Sequence, residues 1–415
     1  MSEGTAAGDG ASLRGRVARG AAWILGAVAA RQALRLVSSV IITRLLLPDD
    51  FGLATTAMLL GVFVEMCADF GIRQAIVQHR DGGTRRFLDV AWTLALWRSF
   101  GVSAVIVLLA GPFAAAMADE RLQTLAMLTA LLPPLQAACS PGRLAWMREL
   151  RQDRINQLDL AVDVARLPLN IAGALLTGNA YGIVFAGIAA EAVRVGLSYV
   201  MAPERPRFAY ERAVAVDLLR YGRYVFVASV LGFFAVRLDA FFVARFLGMN
   251  AAGTYGLAQN MTAPIEGIAS QLLGGLLFPY LAKFQHDLPA IRTRMRQVLK
   301  ALLLGGAPLA GLAVLAAPYI VDLLYDDRYQ GAAGPLQWMI VAIYFSCLGT
   351  ALNCPLMATG RPHWGTLATA VRLVAFGVSA WFLGEHGAVG YAAAIAASTF
   401  AFLVTLACVP WTPPR

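Results

Sequence analysis

Apolar residues in this chain run in blocks of about twenty or more, separated by short clusters of charge, Gly and Pro. A helix needs roughly 20 such residues to cross a hydrocarbon core of about 30 Å, so each block predicts one transmembrane helix. The windows are 20–45, 52–77, 88–116, 122–141, 155–177, 180–202, 221–247, 253–281, 298–323, 336–359, 364–384 and 387–409. The first leads straight into Thr43-Arg-Leu-Leu-Leu-Pro48 with no small-residue processing site, so it reads as a retained span and not a cleaved leader. The pattern predicts an all-α, polytopic membrane protein of about twelve transmembrane helices.

Composition agrees. The chain is 59% hydrophobic and 14% charged, against about 45–50% and 25% for soluble domains. Its 415 residues hold these spans and short connections, with no material for a large soluble domain. All five cysteines lie in apolar segments and read as small membrane hydrophobes. A net charge of +9 on a soluble protein would suggest nucleic acid. Here the basic residues are dealt out between spans, so no nucleic-acid partner is expected and the pattern is topological. With the N-terminus inside, 22 of the 34 Lys and Arg residues fall in or beside the termini and even-numbered loops, while the opposite face has only Arg121 and Arg328. Both termini are therefore expected in the cytoplasm, and the basic stretches 143–154 and 291–300 read as orienting and headgroup-anchoring loops.

The polar stretch 203–220 divides the spans six and six. The expected organisation is a cytoplasmic segment 1–19, an N-lobe 20–202, a cytoplasmic linker 203–220, a C-lobe 221–409 and a cytoplasmic tail 410–415. Shifting the chain by 201 positions superposes Arg19 on Arg220, Arg44 on Arg245, Gly52 on Gly253 and Glu65 on Glu266. Six spans is an even number, so both copies enter the membrane in the same direction, which implies a pseudo-two-fold axis along the membrane normal.

Ten arginines fall inside the windows: Arg31, Arg35, Arg44, Arg73, Arg98, Arg166, Arg194, Arg237, Arg245 and Arg372. Each costs about 2.5–3.5 kcal/mol at mid-span, so they should face a cavity or a counter-charge. Arg44, Arg73 and Arg245 lie near span ends, where they can snorkel. Among the acids, Asp163 pairs by i,i+3 spacing with Arg166, and Glu191 with Arg194. Arg31 and Arg35 share a face and repel, so they call for an anion from elsewhere, and Arg237 and Asp239 point away from each other. Arg31, Arg35 and Arg237 are thus the leading candidates for holding an anionic substrate, then Arg98 and Arg372, with Arg166 last. Glu65, Glu266, Asp163 and Asp239 are candidate ion-coupling groups or charge partners. Pro168 and Pro264, beside polar residues, mark helix breaks expected to line a cavity.

The four histidines lie in predicted loops without metal-ligand spacing, and no phosphate-cradling Gly-rich loop or hydrolase elbow occurs. No catalytic residue, cofactor or metal site is expected.

Thr43-Arg-Leu-Leu-Leu-Pro-Asp-Asp-Phe-Gly52, followed by Asp69-Phe-Gly-Ile-Arg-Gln-Ala-Ile-Val-Gln78, resembles the opening of polysaccharide-transporter (Wzx-type) oligosaccharide flippases. Leu219-Arg-Tyr-Gly-Arg-Tyr224, Leu238-Asp-Ala-Phe-Phe-Val-Ala-Arg-Phe-Leu-Gly248 and Phe278-Pro-Tyr-Leu-Ala-Lys-Phe-Gln285 are similar to that family's seventh and eighth spans. The resemblance implies two six-helix lobes of the multidrug/oligosaccharidyl-lipid/polysaccharide (MOP) exporter superfamily. It also implies alternating access in a bacterial inner membrane. The implied cargo is an undecaprenyl-diphosphate-linked oligosaccharide, moved from the cytoplasmic to the periplasmic leaflet for O-antigen, capsule or exopolysaccharide synthesis. Implied partners are membrane lipids, a polysaccharide polymerase and a chain-length regulator. The cavity arginines then suit a diphosphate, through forked, charge-assisted hydrogen bonds. A lipid II flippase remains open as an alternative. A cation-coupled multidrug exporter of the same superfamily is disfavoured by the arginines, and a membrane glycosyltransferase or polymerase by the lack of a large outer loop.

Overall fold

The computed structural model describes residues 26, 29–68, 84–149, 151–282, 284 and 287–409. The sequence features at Arg19, Asp69, Arg73, Lys283, His79 and His286, the 69–78 motif, and the segments 1–19 and 410–415 lie outside the described residues, as does the Arg220 side chain.

Helix α1 covers residues 29–45. A short extended link at Leu47 leads to α2 (Pro48–Cys67), whose first position is a proline with Asp49 and Asp50 in the first turn. Pro at that position sacrifices an N–H that has no intrahelical partner, and the acids complement the positive end of the helix dipole. Helix α3 (Arg85–Met117) is capped by the Thr84 hydroxyl, which accepts from Phe87 N–H.

The window at 122–141 carries Pro133-Pro134, which are expected to break it. In the structure α4 (Arg121–Thr129) and α5 (Leu132–Ala137) fill the window, and α6 (Gly142–Arg148) follows beyond it after a 69° bend. Pro133, Pro134 and Pro141 lack the N–H groups that would carry the helix through. Helices α7 (Gln152–Thr177) and α8 (Ala180–Met201) form a tight antiparallel pair.

Residues 203–210 carry no regular secondary structure, and the chain is helical from Arg212, where α9 (Arg212–Ser270) begins. The 248–252 gap between two predicted spans closes to a single residue. Gly248, at φ 82° and ψ 176°, breaks α9 into arms 212–247 and 249–270. Such a backbone is open essentially to glycine alone. A π-helical stretch (Gln271–Leu277) leads into α10 (Phe278–Ala282). Then come α11 (Leu288–Ala301), α12 (Ala307–Leu324), α13 (Ala333–Ala358), α14 (Pro362–Leu383) and α15 (Gly387–Ala407).

Among the described residues eight helices are long and apolar enough to cross a bilayer, or nine if the bent 121–148 segment counts as one span. Two of the eight, Arg237–Ala282 and His363–Ala407, run to 46 and 45 residues. Each is about twice a single crossing and contains a positive-φ glycine, Gly248 or Gly387. The protein is an α-helical, multi-span membrane protein.

The main contact between the two halves is α2 along α9. At its tightest point a Cβ on Gly52 would lie 1.9 Å from the Met249 carbonyl oxygen, and one on Gly253 would lie 1.8 Å from the Pro48 carbonyl oxygen. The two backbones therefore touch without intervening side chains, as small residues permit in membranes. Pro48 and Met249 are 201 positions apart, as are Gly52 and Gly253, so each half offers the other the same groove. This reciprocity is the local signature of a two-fold axis. Nearby, Tyr329 O–H donates to Leu46 C=O at 3.2 Å and the Arg328 guanidinium to Arg44 C=O at 3.3 Å.

Candidate functional site

Charged groups gather in two places. In the N-terminal half they form a ladder joining α1, α7 and α8. The Arg31 guanidinium bonds Asp163 at 2.9 Å and reaches Asp159 at 3.2 Å. Arg194 bonds both Asp159 and Glu191. Glu191 also takes Arg166 at 2.9 Å, and Arg35 makes a loose 3.7 Å contact with Asp163. The order is Arg35, Asp163, Arg31, Asp159, Arg194, Glu191, Arg166: four cations and three anions.

One reading of the sequence is met from within the protein and one is corrected. The anion that Arg31 calls for comes from α7, whose two carboxylates hold it. Asp163 is not Arg166's local partner: it turns to α1, and Arg166 crosses to α8. Spacing along one helix shows only that two groups share a face. Neighbouring helices bring guanidiniums to that face with better geometry, and in a low-dielectric interior the better geometry wins. The Glu191–Arg194 couple forms as its i,i+3 spacing expects, at 2.8 Å. Asp159, Glu191 and Arg194 complete the ladder without having ranked among the candidate site residues. Their signal was available in the one-face spacing of Asp159, Asp163 and Arg166 on α7. The ladder's middle is well covered, whereas the Arg35 side chain is 55% exposed and that of Arg166 34%.

In the C-terminal half Asp239 is buried on α9 and accepts from Tyr255 O–H at 2.7 Å and Gln259 N–H at 2.9 Å. Tyr255 and Gln259 are spaced i,i+4 on the second arm of α9, so the fold at Gly248 brings both onto Asp239. Arg237 makes no direct ion pair with Asp239 among the described residues; the Gln259 amide bridges the two, its oxygen toward Arg237 and its N–H toward Asp239. Arg237 is exposed and donates weakly to Gln259 at 3.4 Å. With Thr55, Thr56, Gln259 and Asn260 it lines a cavity of about 160 Å³ walled by both halves. Arg372 and Glu266 lie within electrostatic reach of Asp239. Arg372 and Asp239 border a void of about 10 Å³, room for a water at most.

Arg98 stands apart from both clusters. It donates to Ala68 C=O at 3.0 Å, a favourable cation at the C-terminus of α2. With Glu65, Gln136 and Arg143 it borders a separate cavity of about 100 Å³. Arg44 and Arg245 have exposed side chains, and Arg245 rests over the Phe246 ring at 5.9 Å. No group of three or more His, Cys, Asp or Glu suited to a metal occurs among the described residues.

Interior ion pairs on three helices of the N-terminal half and a cavity walled by both halves are what the described residues bring together. Solved structures agree on the fold. A lipid II flippase, MurJ, in an inward closed conformation superposes with a TM-score of 0.72 at 12% identity, over 92% of this chain and 86% of that one. A multidrug resistance MATE family transporter of the MOP superfamily gives 0.67 in its inward-facing form at 16% identity, over 91% and 93% of the two chains. An outward-facing form gives 0.52 at 14% identity, over 92% and 94%.

The chain belongs to the polysaccharide biosynthesis protein family, whose model matches residues 41–334. The lipopolysaccharide biosynthesis protein WzxC of Escherichia coli (strain K12) is 23% identical over 361 residues, 84% of this chain and 71% of the relative. The succinoglycan biosynthesis transport protein ExoT of Rhizobium meliloti (strain 1021) is 21% identical over 346 residues, 81% and 67% of the two. The protein is therefore a multi-span member of the polysaccharide biosynthesis protein family with the fold seen in the solved flippase and MATE transporter structures.

Proposed function

We propose that this protein moves an undecaprenyl-diphosphate-linked oligosaccharide from the cytoplasmic to the periplasmic leaflet of a bacterial inner membrane. Residues 20–202 and 221–409 act as the moving lobes, 203–220 is the linker, and both termini face the cytoplasm. The diphosphate is held by Arg35 and Arg166 from one lobe and Arg237 from the other. Arg31, Asp159, Asp163, Glu191 and Arg194 brace the first two. Arg98 and Arg372 rank below them, the former because it caps α2 and the latter because it lies beside Asp239 and Glu266. Those two acids, with Glu65, are the remaining candidates for ion coupling. A polysaccharide polymerase and a chain-length regulator are the expected partners.

The observation that carries this reading is the imbalance of the ladder. Among the described residues its acids are each shared between two guanidiniums, and the surplus cation is Arg35, half exposed on a single 3.7 Å ion-pair contact. A forked guanidinium so loosely held suits a phosphate oxygen pair. The contact of the halves near Gly52 and Gly253, on the face with few basic residues, agrees with a cavity accessible from the cytoplasm.

The test is a deletion strain examined for lipid-linked oligosaccharide on the cytoplasmic leaflet, complemented with Arg35→Ala or Arg237→Ala. Accumulation in the deletion, with both variants present in the membrane but failing to relieve it, is expected. No accumulation in the deletion overturns the cargo. Full relief by both variants overturns the diphosphate site.

A further inference from the structure

The segment between α8 and α9 is held by more anchors than a loose connection needs. Pro203 and Pro206 keep it out of either helix. At its start the Ser140 hydroxyl, from the bend before α6, donates to the Ala202 carbonyl at 2.7 Å. The segment then runs along the first turns of α3. The Arg85 guanidinium donates to the Arg205 carbonyl at 3.0 Å, the Arg207 N–H to the Asp89 carboxylate at 3.2 Å, and the Ala209 N–H to the Thr93 hydroxyl at 3.1 Å. The Thr93 proton goes to the Asp89 carbonyl at 2.8 Å, which leaves its oxygen to accept. The Phe208 ring meets Trp92 edge-on at 5.5 Å, and Trp92 is fixed by its own N–H on the Cys139 carbonyl at 3.0 Å. Glu211 closes the series with an ion pair to the exposed Arg86 at 3.0 Å.

Arg85, Asp89 and Thr93 are spaced i,i+4,i+8, so they share one face of α3 at intervals of about 6 Å along its axis. Arg205, Arg207 and Ala209 meet them with every second residue, and two residues of chain reach about 7 Å at most. The fit leaves little slack. Asp89 is the costly anchor, because its side chain is buried within an apolar window, where a carboxylate is tolerated only with partners. A backbone N–H on a carboxylate is also among the stronger hydrogen bonds. All these anchors belong to the N-terminal half. Helix α9 begins at Arg212, so one peptide junction separates the last anchor from the first helix of the other half.

We propose that residues 203–211 are a strap that travels with the N-terminal half, so that the halves are joined by one short hinge between Glu211 and Arg212 and not by a slack tether. This rests on the reading that the halves move, and it fixes where they bend. With so short a joint they can swing about the first turn of α9 but cannot slide apart there. Asp89 is then a positioning residue that keeps the joint against α3.

Hydrogen exchange on the purified full-length protein in phosphatidylcholine nanodiscs, read by mass spectrometry, tests the docking without any cargo. The Arg207 and Ala209 amides should exchange roughly tenfold or more slowly than in a free peptide of the same sequence. Asp89→Ala should release Arg207 and Thr93→Val should release Ala209, whereas Asp89→Asn keeps an acceptor oxygen and should keep most of the protection. Arg86→Ala should leave both amides protected. Free-peptide rates in the parent, or protection that survives Asp89→Ala combined with Thr93→Val, overturns the strap. Movement is read from spin labels in an otherwise cysteine-free chain, with Tyr210→Cys paired to Leu176→Cys within the N-terminal half or to Leu323→Cys across the halves, all three being exposed positions. Gly253→Ala, whose Cβ would press on the Pro48 carbonyl oxygen at 1.8 Å, should change the second distance and leave the first alone. A change in the first distance overturns the strap. If both distances hold while the amides stay protected, the reading of moving halves fails and the hinge with it.

Discussion

Replacing Gly253 with alanine adds one methyl where the two halves touch backbone to backbone. The new Cβ would sit 1.8 Å from the Pro48 carbonyl oxygen, whereas ordinary contact begins near 3.4 Å. The α2 and α9 backbones must therefore part by about 1.6 Å locally, and overpacking of this kind costs about 1–3 kcal/mol. In a transporter that closes here in one state and opens here in another, the strain falls on the closed state alone, shifting the balance by about 5- to 150-fold. Gly52→Ala should act alike, because its Cβ would meet Met249 C=O at 1.9 Å. Gly256→Ala is the control, since its nearest neighbour, the Thr55 hydroxyl, is 3.5 Å away. The assay is labelling of a cysteine at Thr56, buried in the parent, by an impermeant maleimide added outside cells whose protein otherwise lacks cysteine. Labelling should rise in both alanine variants and stay low in the control. Parent-like labelling and transport in Gly52→Ala and Gly253→Ala would refute the claim that this crossing closes the pathway.

Arg31→Ala strips Asp159 and Asp163 of a shared partner, so folded protein in the membrane should fall by an equivalent of about 3–5 kcal/mol; Arg35→Ala, losing one 3.7 Å contact, should leave that amount unchanged while transport drops. Tyr255→Phe should destabilise by about 1–3 kcal/mol in thermal unfolding, because it removes a donor from buried Asp239. Between α3 and α4, the hydrogen-bonded Arg121 guanidinium holds the Asp119 carboxyl below its usual range. Stability from that pair should be full above about pH 4 and lost as pH falls through the lower folded value, and Asp119→Asn should abolish this acid-dependent step in thermal unfolding. Reporter fusions after Arg121 and Arg328 should report the periplasm and those after Arg86, Arg151 and Arg294 the cytoplasm; reversal at any two sites defeats the orientation.

Helix content, membrane residence and the internal repeat were legible in the sequence because each depends on properties summed over many residues. Twenty apolar positions leave a backbone in lipid no alternative to a helix, whatever lies next to it. The match of Gly52 with Gly253 at a shift of 201 belonged to that repeat, whereas their meeting backbone to backbone is seen only in the fold. Charge pairing was not legible. Spacing joined Asp163 to Arg166 and left Arg31 without an acid, whereas the folded chain gives Asp163 to Arg31 and sends Arg166 to Glu191. Helix breaks were only partly legible: Pro133 and Pro134 mark a break within 122–141, whereas the 69° bend falls beyond that window, before Gly142, and nothing short of the backbone itself marked Gly248 as a one-residue turn. An ion pair forms between whichever side chains the packing of separate helices brings within about 4 Å, and that distance is a property of the assembled bundle. Local sequence decides which groups a helix face presents. The tertiary structure decides which of them meet, and therefore which arginine is left with a hand free.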